Sequence, residues 1–149
     1  MTEQQIKLVQ DSWQMVKPVA KEATVIFYDK LFNAAPGIRH LFKKDISEQA
    51  SKLAMVLGFV VGKLHRIEDI IDDVKKLGAS HNQYGAKPEH YEVVGNCLIA
   101  TLKEGLGRNW NNELETAWVT AYTLLKNAMI EAQHEATSET AEYKPSPVS

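Results

Sequence analysis

One cysteine in 149 residues leaves Cys97 without a partner inside the chain. That excludes an internal disulfide and, with only five histidines, a cysteine-rich zinc site. Cys97 lies among Val94, Leu98 and Ala100 and reads as a small buried hydrophobe rather than a nucleophile. There is also no excess of positive charge: 17 Lys and Arg stand against 19 Asp and Glu, a net charge of −2. Such a surface has no field to draw in nucleic acid or an anionic membrane, so neither is expected as a partner. No apolar run approaches the roughly 20 residues of a membrane span. The start, Met-Thr-Glu-Gln-Gln, has neither a basic nor an apolar stretch, so no signal peptide is expected and the location implied is cytoplasmic. Sustained two-residue alternation is absent too, which argues against a sheet.

What is present is a 3.6-residue hydrophobic period in nearly every segment. Thr2 and Gln5 form a capping-box pattern, opening a helix with Ile6, Val9, Trp13 and Val16 on its inner face. Pro18 suits the first turn of a second helix reaching about Ala34. A short turn after Pro36 carries Ile38, Leu41 and Phe42. Asp45 and Glu48 are placed as cap and third residue of a helix to about Lys63, with an inner stripe of Gln49, Leu53, Val56 and Val60. Ile70 to about Asn82 reads as another helix, and Gly85 breaks the chain. Pro88 opens a helix that Gly107 stops. Asn112 with Glu115 is the expected cap of the last helix, whose core positions include Leu114, Trp118, Tyr122, Leu125 and Met129. The class is all-α, with six to eight helices. At this length one domain can bury roughly 70% of its unfolded surface. It is placed at residues 1–134, followed by a polar tail, 135–149, with too few apolar residues to offset its ordering entropy and therefore expected to be disordered.

Three polar side chains sit on apolar stripes. His81 follows Ile70, Val74 and Leu77 at helical spacing, so its imidazole projects from an apolar face. There it either bonds a carbonyl as a core histidine or ligates a metal through one nitrogen while the other donates a hydrogen bond. Gln49, beside Leu53 and Val56, must find a polar partner or stay wet at the helix start. Tyr28, between Val25 and Phe32, is an ordinary core tyrosine or a phenol aimed at a ligand. Together they describe a pocket with a nitrogen ligand on one side and an amide plus a phenol on the other.

The run from His81 to Gly95, HNQYGAKPEHYEVVG, resembles the proximal-histidine motif of the globins. Phe27-Tyr28 with Leu31-Phe32, then Pro36 and Leu41-Phe42, are similar to the same family, as are Glu48-Gln49 with Lys52-Leu53. Ala117-Trp118 and Ala121-Tyr122 match its final helix. The likeness covers residues 3–134 and is strongest to bacterial single-domain globins related to the globin part of flavohaemoglobins. It implies the globin fold around haem b, with His81 as the iron ligand. Phe42 is implied to pack on the haem, and Tyr28, Gln49 and Leu53 to line the gas side. Lys52, Val56, Leu77, Tyr84, Tyr91 and Val94 complete the implied cofactor contacts, Lys52 toward a haem propionate. The implied function is reversible binding of dioxygen and other diatomic gases by a monomer or weak homodimer. The alternatives are nitric oxide dioxygenation with a separate reductase, and a haem-based gas or redox sensor.

Departures from the flavohaemoglobin pattern favour the binder. Gln133 stands where a glutamate supports the proximal histidine, and Glu131 lies about 200° away around the helix. Ser80 replaces a lysine. The segment between Phe42 and Gln49 is short, and no flavin or nicotinamide module follows in this chain. His40, His65, His90 and His134 are weaker candidates for ligation.

Overall fold

The computed structural model describes the backbone of residues 1–41, 45–76 and 88–143. The helices are α1 (Glu3–Val16), α2 (Ala20–Ala34), α3 (Ile46–Gly62), α4 (residues 71–76), α5 (Pro88–Leu106) and α6 (Asn112–Tyr143). Short 3₁₀ turns at Lys17–Val19, Pro36–Leu41, Leu64–Asp69 and Gly107–Asn109 link or extend them. No strand occurs among the described residues. The all-α expectation therefore holds.

The helix ends show why the chain breaks where it does. Gln5 N–H donates to Thr2 Oγ1 at 3.0 Å, and Thr2 N–H donates back to Gln5 Oε1 at 3.0 Å. This reciprocal cap satisfies two otherwise orphaned donors. Pro18 lies in the 3₁₀ turn, and the regular helix α2 begins at Ala20. Asp45 occupies the cap position of α3, although its side chain makes no capping bond. Gly107, at φ +52°, ends α5 in the left-handed region that favours glycine. The cap of α6 falls one residue earlier than the sequence pattern indicates. Leu114 N–H donates to Asn111 Oδ1 at 2.8 Å, while Glu115 accepts from the Trp110 indole at 3.4 Å rather than closing a capping box.

Helix α2 is the spine. Both α3 and α5 pack along it, while α3 and α5 make at most marginal contact with each other. Helix α1 braces α3, α5 and α6 from one side. Trp118 Nε1 on α6 donates to Ser12 Oγ on α1 at 2.9 Å, and Ser12 in turn donates to Val9 O at 3.0 Å. This buried indole and hydroxyl thus satisfy each other. Gln10 Nε2 reaches Val61 O at 3.0 Å and pins the end of α3 to α1.

The α2–α3 contact is a close crossing. Ala50 is fully buried, and its carbonyl oxygen lies 3.0 Å from Thr24 Oγ1. The same hydroxyl is within 3.0 Å of Ala20 O and 2.8 Å of Lys21 O. One proton serves these acceptors in turn, so the contact survives small shifts of either helix.

The crossing adds a second stripe beside the one expected on α3, whose Val60 is buried and whose Leu53 and Val56 pack against the core. At about 100° per residue, Ala50, Ala54, Leu57 and Val61 form that second stripe. The expected inner stripe is rotated from it by about 100°. Of that stripe only Val60 is buried, whereas Gln49, Leu53 and Val56 are half-buried. A small residue at the crossing lets the backbones approach, and this displaces the larger side chains to its flank.

Replacing Ala50 by Leu should overpack this contact at a cost of about 1–3 kcal/mol. Urea unfolding checks this as a lower midpoint at unchanged slope. An unchanged midpoint would mean that α3 is not held against α2 at this point.

Candidate functional site

Tyr28 follows Thr24 by one turn, which places it about 6 Å along α2 from the crossing. It is buried. The Phe27 ring meets it edge-on (5.1 Å between centroids, 68° between planes), and Phe32 stacks on it at 5.9 Å and 27°. The Arg39 guanidinium lies 4.9 Å from the centre of the Phe32 ring. Burial among these groups pushes the Tyr28 hydroxyl up to about 12. Near neutral pH it therefore keeps its proton and can only be a hydrogen-bonding phenol, never a phenolate.

On α3, Gln49 adjoins Ala50, and Leu53 lies one turn further along. The Thr24–Ala50 contact thus brings Tyr28, Gln49 and Leu53 to the same junction of the two helices. Lys52 is exposed, and Val56 continues the half-buried stripe. On α5, Tyr91 is buried and Val94 half-buried. Tyr122 of α6 donates to Tyr91 O at 2.6 Å, so this carbonyl in the first turn of α5 accepts from a neighbouring helix and ties α6 to α5. Its ring lies flat over Gly95, where a Cβ would stand only 2.6 Å from Tyr122 Cε2. Glycine is required there by proximity.

Phe42, Leu77, His81 and Tyr84 lie outside the described residues, as does the side chain of Gln133. Of the other histidines, His65 is exposed and His90 half-buried. The Thr24–Ala50 contact was not foreseen. Its sequence signal is the pair Ala50 and Ala54, one turn apart on the stripe beside Gln49 and Leu53. Tyr122 is recognisable as a core position, but its carbonyl partner on another helix leaves no local pattern.

The described residues fit one side of a flat, largely apolar cofactor. Helix α3 offers a half-buried wall of Leu53 and Val56 with one amide, Gln49. Helix α2 adds a protonated phenol, and among the described residues α3 and α5 each pack on α2 and contribute to one core cluster.

The globin family model matches residues 25–129. The chain belongs to the globin family. An anaerobic nitrite reductase of Casuarina glauca is 35% identical over 143 residues, covering 86% of this globin and 89% of the relative. The flavohaemoprotein of Bacillus anthracis is 32% identical over 146 residues, or 95% of this globin but only 35% of that longer protein. Among solved structures, a bacterial globin from Campylobacter jejuni superposes with a TM-score of 0.81 at 26% identity, covering 92% of this chain and 99% of that one. An engineered carbene transferase made from a proposed nitric oxide dioxygenase of Rhodothermus marinus gives 0.87 at 25% identity, covering 95% and 99%. Family membership implies that this globin binds haem. Among the described residues, no helix is long and apolar enough to cross a membrane.

Burial raises Tyr91 to about 12 and Tyr122 higher still, the latter also through the neighbouring Tyr91. With Tyr28, three phenols hold their protons more tightly folded than unfolded. Stability should be independent of these groups below pH 10, the ordinary tyrosine value. It should fall as pH rises toward about 12, because only the unfolded chain releases the protons. Urea unfolding between pH 9 and 12 measures this, and Tyr28→Phe should make the decline shallower. An equally steep decline in that variant would assign the effect to other groups.

Proposed function

We propose that this globin binds dioxygen and other diatomic gases reversibly on haem b, with His81 as the iron ligand and Tyr28 and Gln49 on the gas side. Residues 1–134 form the globin unit, and residues 135–149 are a polar extension of it. When bound, haem supplies an iron with a position open to a small gas. The chain supplies the rest. Leu53 and Val56, with Phe42, Leu77, Tyr84, Tyr91 and Val94, would exclude water and hold the macrocycle, and Lys52 would pair with a propionate. Tyr28 and Gln49 would supply hydrogen-bond donors to the gas. Neither becomes a cation near neutral pH, so neither delivers a proton as a distal histidine would.

The observation that carries this reading is the buried, proton-retaining Tyr28 at the junction that also presents Gln49. Preplaced donors cost no reorganisation when the gas binds, and each bond to a charged acceptor contributes about 1.5–3 kcal/mol. Dioxygen release should therefore accelerate by about 10- to 100-fold in Tyr28→Phe, and similarly in Gln49→Leu. Stopped-flow displacement by carbon monoxide gives the rates. Unchanged rates in both variants would remove the donors from the mechanism.

A second reading, nitric oxide dioxygenation with electrons from a separate reductase, is supported by the flavohaemoprotein likeness over 95% of the chain. It predicts nitrate formation over many turnovers when a cell-derived reductase is supplied. One turnover followed by stalled iron(III) would restrict the protein to gas binding.

A further inference from the structure

Helix α3 has a third face that neither the core nor the proposed gas side uses. Glu48, Lys52, Met55, Phe59, Gly62 and Lys63 are all exposed. At about 100° per residue they fall within roughly 100° of arc, on the side away from the Ala50–Val61 stripe. Met55 is 74% exposed, the highest value among the large hydrophobic residues described, and Phe59 one turn later is 48% exposed. Steps of four, three and four between Glu48, Lys52, Met55 and Phe59 make the seam spacing of paired helices.

We propose that this face pairs with the same face of a second copy of the chain, α3 against α3, antiparallel about a two-fold axis near Met55. The charges select this occupant. A two-fold axis between positions 55 and 56 places Glu48 opposite Lys63 of the second copy, and Lys63 opposite its Glu48. It also sets Lys52 beside Phe59 and brings the two Met55 side chains together at the centre. Apolar groups thus meet at the middle, and opposite charges close both ends. A parallel pairing would instead stack Glu48 on Glu48 and Lys63 on Lys63. Gly62 has open space around it, so the helix ends can approach without a clash.

The 17 residues of α3 span about 25 Å. Such a seam is smaller than a standard stable interface, so the dimer forms at high concentration and dissociates on dilution. Of this face only Lys52 also belongs to the proposed cofactor contacts. Substitutions at Glu48, Met55 and Lys63 leave it and the gas-side residues in place, so the failure of one reading does not carry the other.

Sedimentation velocity on the full chain, expressed with haem available, tests the proposal. Dimer should grow with concentration, and Met55→Glu should leave monomer. Glu48→Lys and Lys63→Glu should each weaken association by about 5- to 10-fold through two symmetric like-charge contacts. The double variant should recover to within about threefold of the original, because both pairs are restored with reversed sign. All these positions are exposed, so matching circular dichroism and melting curves confirm that folding is retained. A single monomeric species up to about 1 mM chain would overturn the proposal. So would a dimer indifferent to Met55→Glu, or a double variant weaker than either single one.

Discussion

The contact between Thr24 and the carbonyl of Ala50 determines much of the rest of the molecule. It sets how closely α3 lies on α2 and at what rotation. From that rotation follow the surroundings of one helix: Ala50, Val60 and Val61 are buried, Leu53, Ala54, Val56 and Leu57 pack half-buried against the core, and Met55 and Phe59 face outward. A larger residue at the crossing would lift α3 and disturb all three. Because Thr24 draws on three carbonyls with one hydroxyl, the joint is polar yet tolerant of small motions.

The opposite side of the spine is built differently. Helix α5 is placed by α2 and by α6, where Tyr122 fits over Gly95 and bonds Tyr91 O. Lys30 of α2 and Glu104 of α5 add an exposed ion pair at 2.9 Å, of the kind that contributes little to stability. The walls that would face a cofactor are thus held by α2 and by the helices behind them rather than by each other.

Much of this was legible in the sequence where the cause is local. Thr2 with Gln5, Pro18, Pro88 and Gly107 mark helix ends through bonds and dihedrals formed within a few residues, and each appears where its chemistry requires. The hydrophobic period likewise identifies Val9, Trp13, Val16, Leu114 and Trp118 as core. On α3 it finds Leu53, Val56 and Val60, which pack in or against the core, but not the adjacent edge of Ala50 and Val61, because a period gives the width of a stripe but not which edge a neighbour will touch. Small residues were missed for the same reason. Ala117, Ala121 and Ala128 are buried on α6 while Leu125 and Met129 are only half so, since close backbone approach selects for small volume. Asn111 rather than Asn112 caps α6 because Trp110 engages Glu115, a competition between two adjacent asparagines that spacing alone does not resolve. Tyr28 and Gln49 stand out in the sequence as polar side chains on apolar stripes, with their roles implied by family likeness, whereas the Thr24–Ala50 joint required coordinates.

The Trp118–Ser12 hydrogen bond joins positions 106 residues apart, and it has a consequence for biosynthesis. Residues emerge from the ribosome in order, so α1 is made first and its partner helix last. Until Trp118 leaves the exit tunnel, the face of Val9, Trp13 and Val16 can be covered only in part, by α3 and α5. The nascent protein must carry that apolar edge until α6 has been made. Its exposure to chaperones therefore ends only with synthesis of the final helix.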